Sequence, residues 1–96
     1  AEYLRVFSPS AETKGHGPGQ EVLQYGKRSV QFLDIEFQGN YAVKILFSDG
    51  HDSGIYSWDY LFELATNFEE NWNDYLRRLS LEKKSRNPTF IDAMSD

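Results

Sequence analysis

The sequence predicts an α+β fold, a small antiparallel sheet (a three-strand meander, or more) with two C-terminal helices packed on it. Three observations carry the prediction. Apolar residues alternate with polar ones from Ser29 to Phe47, the period of a half-buried strand. Two turn signals, Gly39-Asn40 and Asp49-Gly50, divide the stretch into hairpin-sized pieces. From Ser57 onward the apolar period lengthens to that of a helix.

Taken in order, Ala1 to Phe7 is apolar at Tyr3, Leu4, Val6 and Phe7 without a clean period. Ser8-Pro9-Ser10-Ala11-Glu12 reads as a helix start, with Ser8 as N-cap and Pro9 at the first helical position. The helix has room for about one turn, because Gly15-His16-Gly17-Pro18-Gly19 must be a loop. In the first strand Val30 and Phe32 share one phase, and Leu33, Ile35 and Phe37 take the other. Such a one-residue slip marks a β-bulge or a strand covered on both faces. Tyr41, Val43, Ile45 and Phe47 alternate in the second strand, and His51 to Tyr56, interrupted by Gly54, forms the third. Ser57 caps a helix from Trp58 to Thr66, with Asp59 near its positive end. Asn67 caps the next, with Glu70 completing a capping box. Phe68, Trp72, Tyr75, Leu76 and Leu79 make one apolar stripe along it. A faint echo links Glu2-Tyr3-Leu4-Arg5 to Asp59-Tyr60-Leu61-Phe62. If it is a repeat, a hairpin is expected before the first copy as well.

Composition narrows the function. The chain has 96 residues, no cysteine and a net charge of −5, which leaves no disulfide, thiolate metal site or cysteine nucleophile. The acidic balance disfavours nucleic acid and anionic lipid, no apolar run is long enough to span a membrane, and no signal peptide opens the sequence. The expected setting is the cytoplasm. His51 lies between Asp49 and Asp52 at the hairpin mouth. It reads either as a turn histidine or, with His16, Asp49 and Asp52, as part of an N/O site for zinc or iron. The glycine loop lacks the Lys-Ser/Thr of a phosphate cradle and offers Gln20-Glu21 instead. Aromatic residues crowd the C-terminal half and serve either as a core or as a partner-binding surface. Lys27-Arg28, Arg77-Arg78 and Lys83-Lys84-Arg86 read as solvated faces. No nucleophile-elbow motif is present, and the sequence is not read as an enzyme.

Four stretches carry a resemblance: Leu4 to Glu12, Gly15 to Gln20, Gly39 to Val43, and Asp49-Gly50-His51-Asp52-Ser53-Gly54-Ile55-Tyr56-Ser57-Trp58-Asp59-Tyr60-Leu61. Together they resemble a bacterial domain-of-unknown-function family (family 971), the gamma-butyrobetaine-hydroxylase-like N-terminal domain. The resemblance implies one domain over residues 1–88 that lacks the family's first strand pair, with a mobile tail at 89–96. It implies an accessory module without the dioxygenase catalytic domain. Related modules hold zinc through a Cys-Pro-Cys, a third cysteine and a histidine, which fall here on Ser8-Pro9-Ser10, Thr13 and His51. The family domain is also similar to one appended to Mrp-type P-loop ATPases that handle iron–sulfur clusters. The expectation is therefore a non-catalytic interaction domain linked to metal or iron–sulfur metabolism, with such an ATPase as a candidate protein partner. Its expected face comprises Gly15, Gly17, Gly19, Tyr56, Trp58 and Tyr60. The alternative is a metal-binding protein using the His and Asp ligands named above.

Overall fold

A computed structural model describes residues 1–14 and 21–88. The glycine loop, with Gly15, His16, Gly17 and Gly19, and the 89–96 tail lie outside the described residues. The chain runs through α1 (Glu2–Val6), α2 (Ala11–Lys14), β1 (Phe32–Gln38), β2 (Ala42–Phe47), β3 (Ile55–Ser57), α3 (Trp58–Thr66) and α4 (Phe68–Leu81). The strands form an antiparallel meander in the order β1-β2-β3, with the two C-terminal helices packed on it, so the fold is α+β.

The phase slip in β1 is a bulge. Phe32 pairs with Phe47 and Asp34 with Leu46, so Leu33 is the extra residue, after which Ile35 faces Ile45 and Phe37 faces Val43. Gly50 supplies the positive φ of +90° that the β2–β3 turn needs, and the turn closes through Phe47 N–H on the His51 carbonyl at 2.9 Å. The expected third strand from His51 shortens to Ile55–Ser57. After the turn the chain leaves the sheet, and Gly54 packs on Ser8 and Pro9.

Ser57 caps α3 as the sequence indicates, its Oγ accepting from Tyr60 N–H at 3.1 Å. Asn67 does not cap α4 with its side chain, and the expected capping box is absent. The same residue closes α3, its N–H bonding the Glu63 carbonyl, and its φ of −105° and ψ of 26° lie outside the extended conformation an N-cap uses. At the other end of the chain, α2 begins after Ser10, so Ser8 is not its cap; Thr13 and Lys14 N–H both bond the Ser10 carbonyl.

The core forms where β2 and Tyr56 of β3 meet α3. Val43, Ile45, Phe47, Tyr56 and Leu64 are buried, with Tyr3, Leu4 and Phe7 packed on them. Tyr75 and Leu79 of α4 bury with Val6 in a second cluster, and Phe7 touches both. The echo between the two Tyr-Leu segments has a structural counterpart, because both copies are helical and clasp each other. Tyr3 donates its hydroxyl to the Leu64 carbonyl, and Tyr60 donates its own to the Phe7 carbonyl. Each tyrosine thus reaches the carbonyl four residues beyond the other. The segment after α4, expected to be solvated, is also tied down. Arg86 grips the Glu2 carboxylate with two hydrogen bonds of 2.7 and 2.8 Å and lies over the Trp72 ring. Lys27, from another cluster expected to be solvated, bonds the Asp49 carboxylate. Among the described residues no helix is long and apolar enough to cross a membrane.

Candidate functional site

The residues after α1 and the β2–β3 turn meet at one place. Ser8 and His51 are 43 positions apart, yet Ser8 Oγ and His51 Nε2 share a hydrogen bond of 2.8 Å. Ser10 N–H donates to the same Ser8 Oγ at 3.3 Å, and Ser10 Oγ leans toward Thr13 Oγ1 at 3.5 Å. Ser8, Ser10 and Thr13 are all buried, so three hydroxyls and one imidazole form a closed polar knot. Its tightness comes from Gly54, where a Cβ would meet Ser8 Oγ far inside van der Waals separation.

Beside the knot, Asp49 is bracketed by cations. Its Oδ2 accepts from Arg5 Nε at 2.8 Å and Lys27 Nζ at 2.7 Å, while Oδ1 accepts from His51 N–H. Burial pushes the carboxyl pKa up, but these hydrogen bonds and the Arg5 charge outweigh it and hold it near 2. Arg5 itself is buried, and its second guanidinium nitrogen has no hydrogen-bond partner among the described residues. Asp52 lies elsewhere, lining a shallow hollow with Asp34, Glu36, Lys44 and Leu46 on the polar face of the sheet.

The sequence-derived site residues therefore separate. Asp49 points to Arg5 and Lys27, His51 to Ser8, and Asp52 to the far face. Among the described residues no group of three or more His, Asp or Glu side chains is arranged to hold a metal ion. Tyr56 is wholly buried and donates its hydroxyl to the Leu4 carbonyl; burial raises its pKa far above the ordinary range. Tyr60 is half-buried beneath the Lys14 ammonium, and burial with the nearby Glu63 charge pushes its pKa up to about 12. Trp58 is exposed, its indole N–H bonding the Asn40 carbonyl at 2.9 Å and its ring 6.3 Å from that of Phe37.

Trp58, expected on a partner-binding face, leads to residues of β1 that the sequence reading did not place there. Ile35 and Phe37 occupy the same face of the sheet as the buried Ile45 and Val43, yet α3 stops short of them. Phe37 is 72% exposed, and Phe62, one turn beyond Trp58 on α3, is 74% exposed. Phe32, Ile35 and Phe37 share one face of β1, Trp58 lies beside Phe37, and Phe62 follows Trp58 by one turn of α3, an exposed apolar band at a strand that is the sheet's edge among the described residues. Of the β1 residues only the alternation was visible in the sequence, and alternation does not say which face is covered.

The family model for gamma-butyrobetaine hydroxylase-like, N-terminal domains matches residues 1–62. The chain belongs to that family. Two solution NMR structures are similar to this gamma-butyrobetaine hydroxylase-like N-terminal domain over 91% of its length, at 55% and 52% identity and TM-scores of 0.77 and 0.75. A crystal structure of a protein of unknown function from Acidithiobacillus ferrooxidans, of the DUF971 family, is 38% identical over 66% of the chain, with a TM-score of 0.51. The chain spans 68%, 64% and 60% of the lengths of these three structures. No curated protein matches the chain.

The zinc set that the family resemblance implies falls on the Ser8, Ser10, Thr13 and His51 knot. The four positions do converge, but the donors do not fit the ion. Neutral hydroxyls are poor zinc ligands, and here Ser8 Oγ and His51 Nε2 already bond each other. In this gamma-butyrobetaine hydroxylase-like N-terminal domain, hydrogen bonds join the N-terminal segment to the hairpin at that place.

Proposed function

We propose that this is a non-catalytic accessory domain that works by binding a protein partner. One observation carries the reading: the apolar band of Phe32, Ile35, Phe37, Trp58 and Phe62 stands exposed beside β1, an edge of the sheet among the described residues. Contiguous exposed apolar surface next to unpaired strand groups is characteristic of interaction sites. Trp58 within it is one of the residue types that dominate binding energy. The link to metal or iron–sulfur metabolism, an Mrp-type P-loop ATPase as the partner and a cytoplasmic setting complete the proposal, and family resemblance is their support.

Site-specific photo-crosslinking in a bacterial host tests the reading. A benzoylphenylalanine at Phe37 or Phe62 should give discrete protein adducts, and one at Glu70 on the exposed side of α4 should not. Equal adduct patterns from all three positions would show that the band has no privileged partner.

A further inference from the structure

We propose that β1 takes up an extended segment of another protein as a fourth strand, and that this segment alternates apolar with basic residues. The inference deepens the interaction reading above and rests on it. β1 spans seven residues and is an edge of the sheet among the described residues, so half of its backbone N–H and C=O groups point away from β2. Its bulge lies between Phe32 and Asp34, which leaves Asp34 to Gln38 in regular register with β2. The Ile35 N–H is held by Asp34 Oδ1 at 2.9 Å, a bond that an incoming strand would exchange for its own carbonyl.

The side chains specify the occupant. On one face Ile35, 52% exposed, and Phe37 continue the apolar surface of Val43 and Ile45 beyond the cover of α3. An added strand would shield them with apolar residues at every second position. On the opposite face Asp34 and Glu36 stand beside Asp52, with Lys44 alone to offset three carboxylates around that hollow. Opposite-charge pairs across strands are favourable and like-charge pairs are not, so the intervening positions call for Lys or Arg. The same arithmetic disfavours a second copy of this chain. Antiparallel self-pairing about Ile35 would set Asp34 against Glu36 twice. Strand addition of this kind draws affinity from backbone hydrogen bonds and selectivity from alternate side chains.

The test uses three synthetic heptapeptides against isotopically labelled protein, read by backbone amide NMR. One alternates valine with lysine, one alternates valine with glutamate, and one is the lysine peptide N-methylated at alternate residues. The lysine peptide should shift the amides of residues 32–38 and bind roughly tenfold or more tighter than the glutamate peptide. Its affinity should fall as ionic strength rises from about 0.05 to about 0.5 M. The N-methylated peptide, which cannot pair, should lose binding, and the double variant Asp34→Lys/Glu36→Lys should reverse the preference. Shifts away from β1, equal binding of the two charged peptides, or undiminished binding of the N-methylated one would overturn the proposal. So would sedimentation showing that copies of the chain occupy β1 in place of the peptide. Protection of the equivalent strand in the longer relatives by a strand of their own would also overturn it, since the edge would then be filled from within. Should the peptides fail while Phe37 and Phe62 still crosslink to a discrete partner, the interaction reading stands and strand addition falls.

Discussion

Gly54→Ala offers the sharpest test of the packing at the polar knot, because two opposing effects act on one methyl group. Gly54 has no positive φ, so alanine is allowed there, and the stiffer unfolded chain would by itself stabilise the domain by about 0.4–1 kcal/mol. Against this, the new Cβ would run into Ser8 Oγ and stand 3.2 Å from Tyr56 Cε1 and 3.3 Å from Pro9 Cδ. Overpacking of a tight site costs about 1–3 kcal/mol. Displacing Ser8 Oγ also weakens its bonds to His51 and to Ser10 N–H, each worth roughly 1 kcal/mol. The steric side wins, and a net loss of about 2–3 kcal/mol is expected. With a urea m-value near 1 kcal/mol/M for so small a domain, the unfolding midpoint would fall by about 2–3 M. Tryptophan fluorescence from Trp58 and Trp72 follows the transition. The decisive arm is a double-mutant cycle. In a Ser8→Ala background the obstructing oxygen is gone, so Gly54→Ala should cost less than about 1 kcal/mol. Strict additivity of the two substitutions would refute the packing argument.

Three further outcomes follow from the same geometry. Asp49 is held near pH 2 in the fold against about 3.9 when unfolded, so it stabilises the domain above pH 4 and that contribution fades as pH falls toward 2. Solvent exposure trims the effect to about 1 kcal/mol, and Asp49→Asn should flatten the acid limb of the stability curve over that window by denaturant titration. Burial raises Tyr60 and Tyr75 to about 12, so the unfolded chain ionises first and stability should drain away between pH 10 and 12. Tyrosinate absorbance rising in step with loss of circular dichroism would show it, whereas a rise near pH 10 with the fold intact would contradict it. Finally, Ser8→Cys/Ser10→Cys/Thr13→Cys should place three thiolates around His51, and cobalt should give tetrahedral thiolate bands there but not with the unaltered chain. Absence of those bands in a folded triple variant would show that the four positions are not convergent enough to share one ion.

Local rules were legible in the sequence where one residue does one job. The phase slip at Leu33 showed as a bulge or a doubly covered strand, of which the bulge is present, and Asp49-Gly50 showed as a turn and Ser57 as a cap, because each needs only its immediate neighbours. Asn67 misled, since it serves the end of one helix and the start of the next and its backbone cannot suit both. The long-range pairs were invisible for a different reason. Nothing within a few residues of Arg86 announces that it will grip Glu2, 84 positions away. The convergence of Ser8 on His51 was reached through family resemblance, not spacing. Trp58 was expected on a partner face, but the share of β1 in that band went unseen because alternation fixes which side chains share a face, while cover depends on how far α3 extends.

The reciprocal tyrosine clasp bears on how the chain is born. Tyr3 bonds the Leu64 carbonyl and Tyr60 bonds the Phe7 carbonyl, so the first helix finds its seat only when residues nearly sixty positions later are present. On the ribosome, the N-terminal segment must therefore emerge and wait, at roughly 5–20 residues added per second, until the helix after the sheet has cleared the exit tunnel. During those seconds Tyr3, Leu4 and Phe7 are apolar side chains without a core. The clasp ties residues 3–7 to residues 60–64, which makes the interval before it can form the period in which a nascent chain is most open to chaperones and to mispairing.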